Sequence, residues 1–359
     1  MSREWGAGPA FLDPETQTPQ NWEKLAAHLA EAGLRFEPSA APPRQFASGF
    51  GNLNYLIEVD GEKAVLRRPP MGDIPPGAND MNREHRVLSV LWQAFPLAPR
   101  SLHYCANHDV LGNHFLIMQY RAGETIGGHL PAAVAARAGI GEQLTDMLVD
   151  ILVRFHAVDP AAVGLAEFGR PEGFLARAVA GWRKRLMIGA DDAPPAVAVE
   201  VADWLEAHLV ADGPPVLLHN DFKLDNVLLD PETLEPRAVV DWDMGSRGDP
   251  LFDLGTLLSY WVEPDDPPAM QMIEQMPTVE PGFPRRRDVI QKYAALSGRD
   301  VSNFRFYRVL TQFKLAVVFL QIYAQYRRGT TSDERFARFG PHLEGMFAFA
   351  VDIAQGRVD

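Results

Sequence analysis

The chain has 359 residues, 47% hydrophobic and 10% aromatic, enough for a sizeable core and, by length, for two compact units. Asp and Glu outnumber Lys and Arg by 47 to 34, a formal charge of −13 that argues against a nucleic-acid binder and fits a solvated surface or a cationic substrate. No run reaches the ~18 apolar residues of a membrane span, the opening "MSREWGAGPAFLDPETQ" has no apolar signal core, and Cys105 is the only cysteine, so the expectation is a soluble, cytoplasmic chain without disulfides.

Residues 1–21 are rich in Gly, Pro and polar side chains and read as an extended lead-in. "NWEKLAAHLAEAG" (21–33) places Trp22, Leu25, Ala26, Leu29 and Ala32 at helical spacing, with Asn21 as N-cap and Gly33 as the stop. "NYLIEVD" and "KAVLRRP" alternate like strands, and Asp60-Gly61 between Val59 and Glu62 predicts a tight hairpin. A Pro/Gly-rich loop follows, then a helix over "MNREHRVLSVLWQAF" and strands at "RSLHYCAN" and "HFLIMQY". From "RAGETIGGH" onward the pattern becomes helical, over 141–157, 172–187, 195–210, 250–262, 285–297, 301–327 and 332–355. The expected class is α+β: a small sheet-rich lobe (1–118) with an extra N-terminal helix, a connection at 119–123 and a large helical lobe (124–359).

One polar stretch interrupts the helices, "LLHNDFKLDNVLLD" (217–230). "VLLD" (227–230) and "RAVVDW" (237–242) read as strands joined by "PETLEP". If that hairpin is symmetric about Thr233 and Leu234, Asn226 stands opposite Asp241, and an amide with a carboxylate makes a hard-oxygen site suited to Mg²⁺. No His or Cys at zinc spacing accompanies them. Phosphoryl transfer needs a base to orient the attacking hydroxyl, a cation for developing charge and metal-held phosphates. Asp221, Lys223 and the Asn226–Asp241 pair have those chemistries. A hydrogen-bonded turn explains any one of these residues alone, but not the whole set.

"HNDFKLDN" matches the kinase catalytic-loop pattern H-x-D-x-K-x-x-N, "VVDWD" stands where protein kinases carry D-F-G, and "GDPLFDLG" follows. Together they resemble the aminoglycoside phosphotransferase (choline-kinase-like) family, whose fold is that of the protein kinases. "VLRRPP", "GDPLFDLGTLLSYW" and "YAQYRRGTTSDERF" resemble more closely the kinase-like domain joined to acyl-CoA dehydrogenase modules, over roughly residues 25–355. The resemblance implies Asp221 as base, Lys223 on the transferring phosphate, and Asn226, Asp241 and Asp243 around Mg²⁺. It implies a nucleotide, ATP or GTP, under a loop carrying Gly49, Gly51 and Asn52. Arg67 takes the place of the usual phosphate-binding lysine and Glu84 is its helix partner. Met118 would lie beside the base, whose edge meets the backbone near Gln119 and Tyr120. His219 would brace the loop, His156 would be a core residue, Asp253 would accept from the catalytic-loop backbone, and Asp249 would cap the helix at Pro250.

Only "MGSRG" separates Asp243 from that helix, which leaves no room for a peptide-binding activation segment, so the expected acceptor is a small-molecule hydroxyl. A cationic aminoglycoside or amino alcohol would want the acids of "EPDD" (263–266), whereas Arg308, Lys314, Arg327 and Arg328 would suit an anionic one. The dehydrogenase-linked relatives favour a hydroxyacyl-CoA or related hydroxy acid. Rival readings are a catalytically silent nucleotide binder and a metal-dependent phosphohydrolase. No nucleic-acid or membrane partner is expected.

Overall fold

The computed structural model describes residues 4–47, 51–71, 79–191, 193–330 and 334–358. In chain order its strands are β1 (Arg44–Gln45), β2 (Leu53–Val59), β3 (Glu62–Arg68), β4 (Ser101–Cys105), β5 (Phe115–Gln119), β6 (Val216–Leu218), β7 (Val227–Leu229), β8 (Pro236–Val239) and β9 (Ser246–Gly248). Its helices are α1 (Trp22–Glu31), α2 (Met81–Leu88), α3 (His108–Leu111), α4 (Ala132–Ala135), α5 (Ile140–His156), α6 (Phe174–Gly189), α7 (Ala196–Ala207), α8 (Pro250–Ser259), α9 (Pro268–Gln271), α10 (Arg286–Ser297), α11 (Phe304–Arg327) and α12 (Leu343–Ala354). The first of two compact units comprises the described residues of Met1–Thr125 with Pro160–Ala166 and Asn226–Gly245. The second comprises Ile126–Asp159, Glu167–Asp225 and the described residues of Ser246–Asp359.

The first unit is built on a five-stranded antiparallel sheet in the order β1-β2-β3-β5-β4. Val59 pairs with Glu62 across a two-residue turn in which Asp60 (φ 55°) and Gly61 (φ 82°) are both left-handed, the geometry that a tight twisted hairpin requires. Strand alternation then sorts the side chains. Tyr55, Ile57, Ala64, Leu66, Phe115 and Ile117 cluster with Leu25 and Leu29 of α1, and burying each large apolar side chain contributes about 1.5–3 kcal/mol. Arg68 joins that face, its Nη1 donating to Gln20 Oε1 at 2.7 Å. Arg67 is its neighbour in sequence and therefore turns to the opposite face, as expected of adjacent strand residues.

α1 is capped as its sequence suggests, Asn21 Oδ1 accepting from the Lys24 N–H at 2.9 Å. The helix expected over 81–95 is shorter: α2 ends at Leu88, and Leu91–Gln93 form a 3-10 turn that buries Leu91. The connection expected at 119–123 falls within the first unit, which runs to Thr125 and also takes in Asn226–Gly245. The β7–β8 hairpin is tied there by the Glu124–Leu229 bridge and by the Val239 N–H donating to the Leu97 carbonyl at 2.8 Å.

The second unit is mainly helical and is organised around α11, which contacts α6, α7, α8 and α12. That central position explains why α11 buries residues on every side, from Phe304 to Ala324, instead of along one stripe. β6 and β9 form a short antiparallel pair. The single helix expected over 332–355 is interrupted: Glu334–His342 form a 3-10 segment containing Pro341, which removes an N–H donor, and α12 starts only at Leu343. Among the described residues no helix is long and apolar enough to cross a membrane.

Candidate active site

Within the first unit, a charged cluster gathers on the Arg67 face of the sheet. Arg67 is 7% exposed, and its Nε lies 2.8 Å from Glu84 Oε2 on α2. Its Nη2 bonds Asp241 Oδ1 and lies 3.6 Å from Asp243 Oδ2. Glu84 is fully buried and accepts from the Trp242 N–H at 3.3 Å, tying α2 to the segment after β8. Asn52 Nδ2 donates to Asp243 Oδ2 at 3.3 Å, while Arg83 Nη1 donates to the Asp243 carbonyl at 2.9 Å. Asn79, which sequence reasoning missed, donates to the Gly51 carbonyl (2.6 Å) and to Asn52 Oδ1 (2.9 Å).

Three carboxylates here share one buried guanidinium, and the electrostatics reflect the imbalance. Burial works against the Arg67 charge, but Asp241, then Glu84 and Asp243, more than offset it and hold the group charged. Burial pushes the Glu84 carboxyl up to about 7; Arg67 opposes that rise, and Asp243 and Asp241 add to it. The surplus of negative charge on oxygen donors fits a hard divalent cation. Asp241 and Asp243 are the side chains of this cluster that would meet it. Asp241 also has φ 70°, a left-handed conformation costing a non-glycine residue of order 1 kcal/mol and concentrated at functional sites.

The hairpin beside this cluster corrects the expected register. Val227 pairs with Val239, and the Val240 N–H donates to the Asn226 carbonyl at 2.9 Å, so Asn226 stands opposite Val240 and not Asp241. The turn is asymmetric: Asp230 Oδ1 accepts from Glu232 and Thr233, Leu234 is left-handed at φ 62°, and a bulge lies between Leu228 and Leu229. Asn226 is buried at the end of a 3-10 turn, Leu224–Asn226.

The expected nucleotide-binding positions fall partly in this unit's sheet. Met118 is buried on the Arg67 face, paired with Val65. Gln119 pairs with Ala64, and its N–H donates to the Arg100 carbonyl at 2.8 Å, so that donor is already used. The Lys63 ammonium lies 5.9 Å from the Tyr120 ring centre. Gly49 lies outside the described residues.

Within the second unit, the loop beginning at His219 is clamped from two helices. Asp253 on α8 accepts the His219 N–H at Oδ2 and the Asn220 N–H at Oδ1, both at 2.7 Å. Lys314 on α11 is 7% exposed and donates to the Asn220 carbonyl. Asn220 itself is left-handed, with φ 65°. Asp221 follows, its Oδ1 accepting from the Tyr260 hydroxyl at 2.9 Å and its Oδ2 lying 3.3 Å from Lys223 Nζ. Lys223 also donates to Gln275 Oε1 at 3.1 Å and sits 4.8 Å from the Tyr260 ring centre. Burial alone would raise the Asp221 carboxyl, but Lys223, then Lys314, His219 and the Tyr260 hydroxyl, hold it below the usual range.

His219, expected to brace the loop, is buried with its ring 6.1 Å from that of Phe222, and His156, expected as a core histidine, is buried with Nδ1 2.8 Å from the Tyr293 hydroxyl. Asp249 caps α8 through the Leu251 N–H at 3.0 Å. The residues singled out for a cationic or an anionic acceptor have the following partners. The acids of residues 263–266 are committed internally, since Arg286 Nη2 meets Asp266 at 2.6 Å and Arg285 Nη1 meets Glu263 at 3.0 Å and also Asp265. Of the cations, Arg308 is buried on the Leu258 carbonyl at 3.0 Å, Lys314 on the loop, and Arg328 pairs with Asp191. Arg327 is exposed at the end of α11. Tyr260 stands inside a quoted motif, "GDPLFDLGTLLSYW", yet carries no sequence signal beyond its position.

Residues 43–289 match the profile of the APH phosphotransferase enzyme family. The chain belongs to that family. Acyl-CoA dehydrogenase family member 11 from Rattus norvegicus is 31% identical over 303 residues, which cover 81% of this chain and 37% of that protein. The chain therefore spans little more than a third of that relative's length. Among solved structures, a candidate aminoglycoside phosphotransferase from Ralstonia eutropha superposes with a TM-score of 0.75 at 23% identity, over 94% of this chain and 99% of that one. A thermostable mutant of aminoglycoside phosphotransferase APH(4)-Ia, in ternary complex with ADP and hygromycin B, gives 0.56 at 17% identity, over 92% and 98%. These likenesses establish the protein-kinase-like α+β fold, with its antiparallel-sheet unit and mainly helical unit.

Proposed function

We propose that the protein transfers the γ-phosphoryl group of Mg²⁺-bound ATP to the hydroxyl of a small molecule. The observation that carries this reading is the buried Arg67 held between the buried Glu84 and the part-exposed Asp241, which brings β3, α2 and the segment after β8 to one charged cluster. Arg67 would grip phosphate oxygens, with Glu84 fixing its orientation. Asp241, Asp243 and Asn226 would hold Mg²⁺, which when bound would neutralise charge on the phosphates. Gly49, Gly51 and Asn52 would cover those phosphates, and Met118, Gln119 and Tyr120 would meet the nucleotide base, in keeping with the ADP found in the APH(4)-Ia complex. In the second unit, Asp221 would accept the hydrogen bond of the acceptor hydroxyl and orient it for in-line attack. Lys223, already within reach of Asp221, would stabilise charge on the transferring group.

For the acceptor, the relatives named as acyl-CoA dehydrogenases support a hydroxyacyl-CoA or related hydroxy acid. The internal pairing of residues 263–266 removes the acids that a polycationic aminoglycoside would have used, and so weighs in the same direction. The test is a screen of hydroxyacyl-CoAs, amino alcohols and aminoglycosides for acceptor-dependent ADP release from Mg·ATP. Release with hydroxyacyl-CoAs alone supports the proposal. Release with aminoglycosides alone replaces the acceptor, and no release with any class refutes the transfer reaction.

A further inference from the structure

Lys314 was expected, as a cation on a late helix, to suit an anionic acceptor. The structure gives it a different neighbourhood. From the middle of α11, its ammonium enters a site 7% exposed to solvent, donates to the Asn220 carbonyl, lies 3.4 Å from Thr256 Oγ1 and sits 5.4 Å from the Phe252 ring centre. Burying an ammonium costs several kcal/mol unless its surroundings compensate, so a methionine or leucine would be the cheaper occupant for packing alone.

The compensation comes from one peptide. Asn220 is a non-glycine residue at φ 65°, a conformation kept only where its surroundings hold it. Its N–H is taken by Asp253 and its C=O by Lys314, so the residue immediately before Asp221 is held at both of its backbone polar groups from two helices. The titratable and charged groups facing this point are Asp221, Lys223 and His219 on the loop, Asp253 on α8 and the Tyr260 hydroxyl just beyond it. Lys314 is the one cation in that set contributed from outside the loop.

We infer that Lys314 is a positioning residue for the base: by holding the carbonyl of the left-handed Asn220 it aims the Asp221 carboxylate that follows. The inference rests on the reading of Asp221 as the base. Burial lowers the Lys314 ammonium and the Asp221 and Asp253 carboxylates resist that, which agrees with a cation held in place by the loop it organises.

The experiment compares K314M, K314Q and K314R with F313L, a variant of the adjacent α11 residue whose ring centre lies 6.0 Å from that of Phe347 on α12. ADP release from Mg·ATP, with water and with the best acceptor from the screen, gives kcat, KM for ATP and the acid limb of the pH profile. K314M is expected to lose roughly 10- to 100-fold in kcat with KM for ATP changed less than about twofold. Its acid limb should move up by roughly half a unit to one unit. K314Q keeps an N–H for Asn220 but no charge, so it should recover kcat in part and leave the limb displaced. K314R should return the limb, and F313L should lower stability without moving it. Hydrogen–deuterium exchange of the 216–226 segment is read in parallel: K314M should speed exchange there, and F313L should not. A K314M protein with wild-type kcat, limb and exchange overturns the inference. If no variant releases ADP with any acceptor, the proposed reaction fails, and exchange in 216–226 still decides whether Lys314 holds the loop.

Discussion

Replacing Arg67 by methionine removes the one guanidinium shared by Glu84, Asp241 and Asp243 and leaves a hydrophobic chain of similar length. At the 2.8 Å separation from Glu84, an effective dielectric of 20 gives a gross attraction of about 6 kcal/mol. The 3.6 Å approach to Asp243 adds about 5 kcal/mol on the same basis. Most of this offsets desolvation, and measured losses on breaking a buried pair are about 3–5 kcal/mol. The Asp241 side chain is 36% exposed, so the lower end applies, about 3 kcal/mol. Thermal unfolding followed by circular dichroism should therefore show R67M melting roughly 3–5 °C below wild type. R67K keeps the charge but cannot present Nε to Glu84 and Nη2 to Asp241 together, so its loss should be smaller, about 1.5–3 kcal/mol. Added Mg²⁺ should recover a larger share of stability in R67M than in wild type, because the uncovered carboxylates bind it more tightly. An R67M protein melting within about 2 °C of wild type would refute the reasoning, since the carboxylates would then have been compensated elsewhere.

Asp221→Ala should reduce transfer by roughly 10²- to 10⁴-fold while calorimetry shows ADP binding retained; transfer near the wild-type rate would remove Asp221 from its role. The Asp221 carboxyl lies below its usual range, so activity that needs the carboxylate is present above that depressed pKa and is lost as pH falls through it. Tyr260→Phe deletes a hydrogen bond to the charged form, so the loss should begin at higher pH with the plateau little changed; a limb that stays put counts against the contact. Asp253→Asn keeps one acceptor for two N–H groups at 2.7 Å, and urea unfolding should show a loss of about 2–3 kcal/mol. Gly141→Ala would put a methyl 2.4 Å from the Gly282 carbonyl, with an expected cost of about 1–3 kcal/mol; a neutral result would mean that the 282 segment moves freely away from α5.

Features set by neighbouring residues were legible in the sequence. The Asp60-Gly61 hairpin, the Asn21 and Asp249 caps and the opposite facing of Arg67 and Arg68 follow from local backbone rules, and the structure has each of them. The Arg67–Glu84 pair was legible only through the family pattern, because nothing local joins β3 to α2. Asn79 and Tyr260, together with the inward turn of Lys314, were hidden for the same reason: each acts on a partner far away in sequence. The hairpin register failed by one residue because symmetry about Thr233 and Leu234 ignored what Asp230 does to the turn. The acids at 263–266 read as available to a cationic acceptor because Arg285 and Arg286, which the fold brings to them, lie some twenty residues further on.

The β7–β8 hairpin has a consequence for how the chain is made. It belongs with the sheet unit, yet two stretches of the helical unit, Ile126–Asp159 and Glu167–Asp225, precede it in the sequence. On the ribosome, Leu97 and Glu124 emerge well before their partners Val239 and Leu229 exist, and at ordinary elongation rates the wait is roughly ten seconds. During that interval the nascent sheet unit lacks the strand pair that completes it. A fragment ending at Thr125 would be held permanently at that stage, so cutting the gene at the apparent lobe boundary should yield an aggregation-prone half-unit instead of a free-standing nucleotide-binding module.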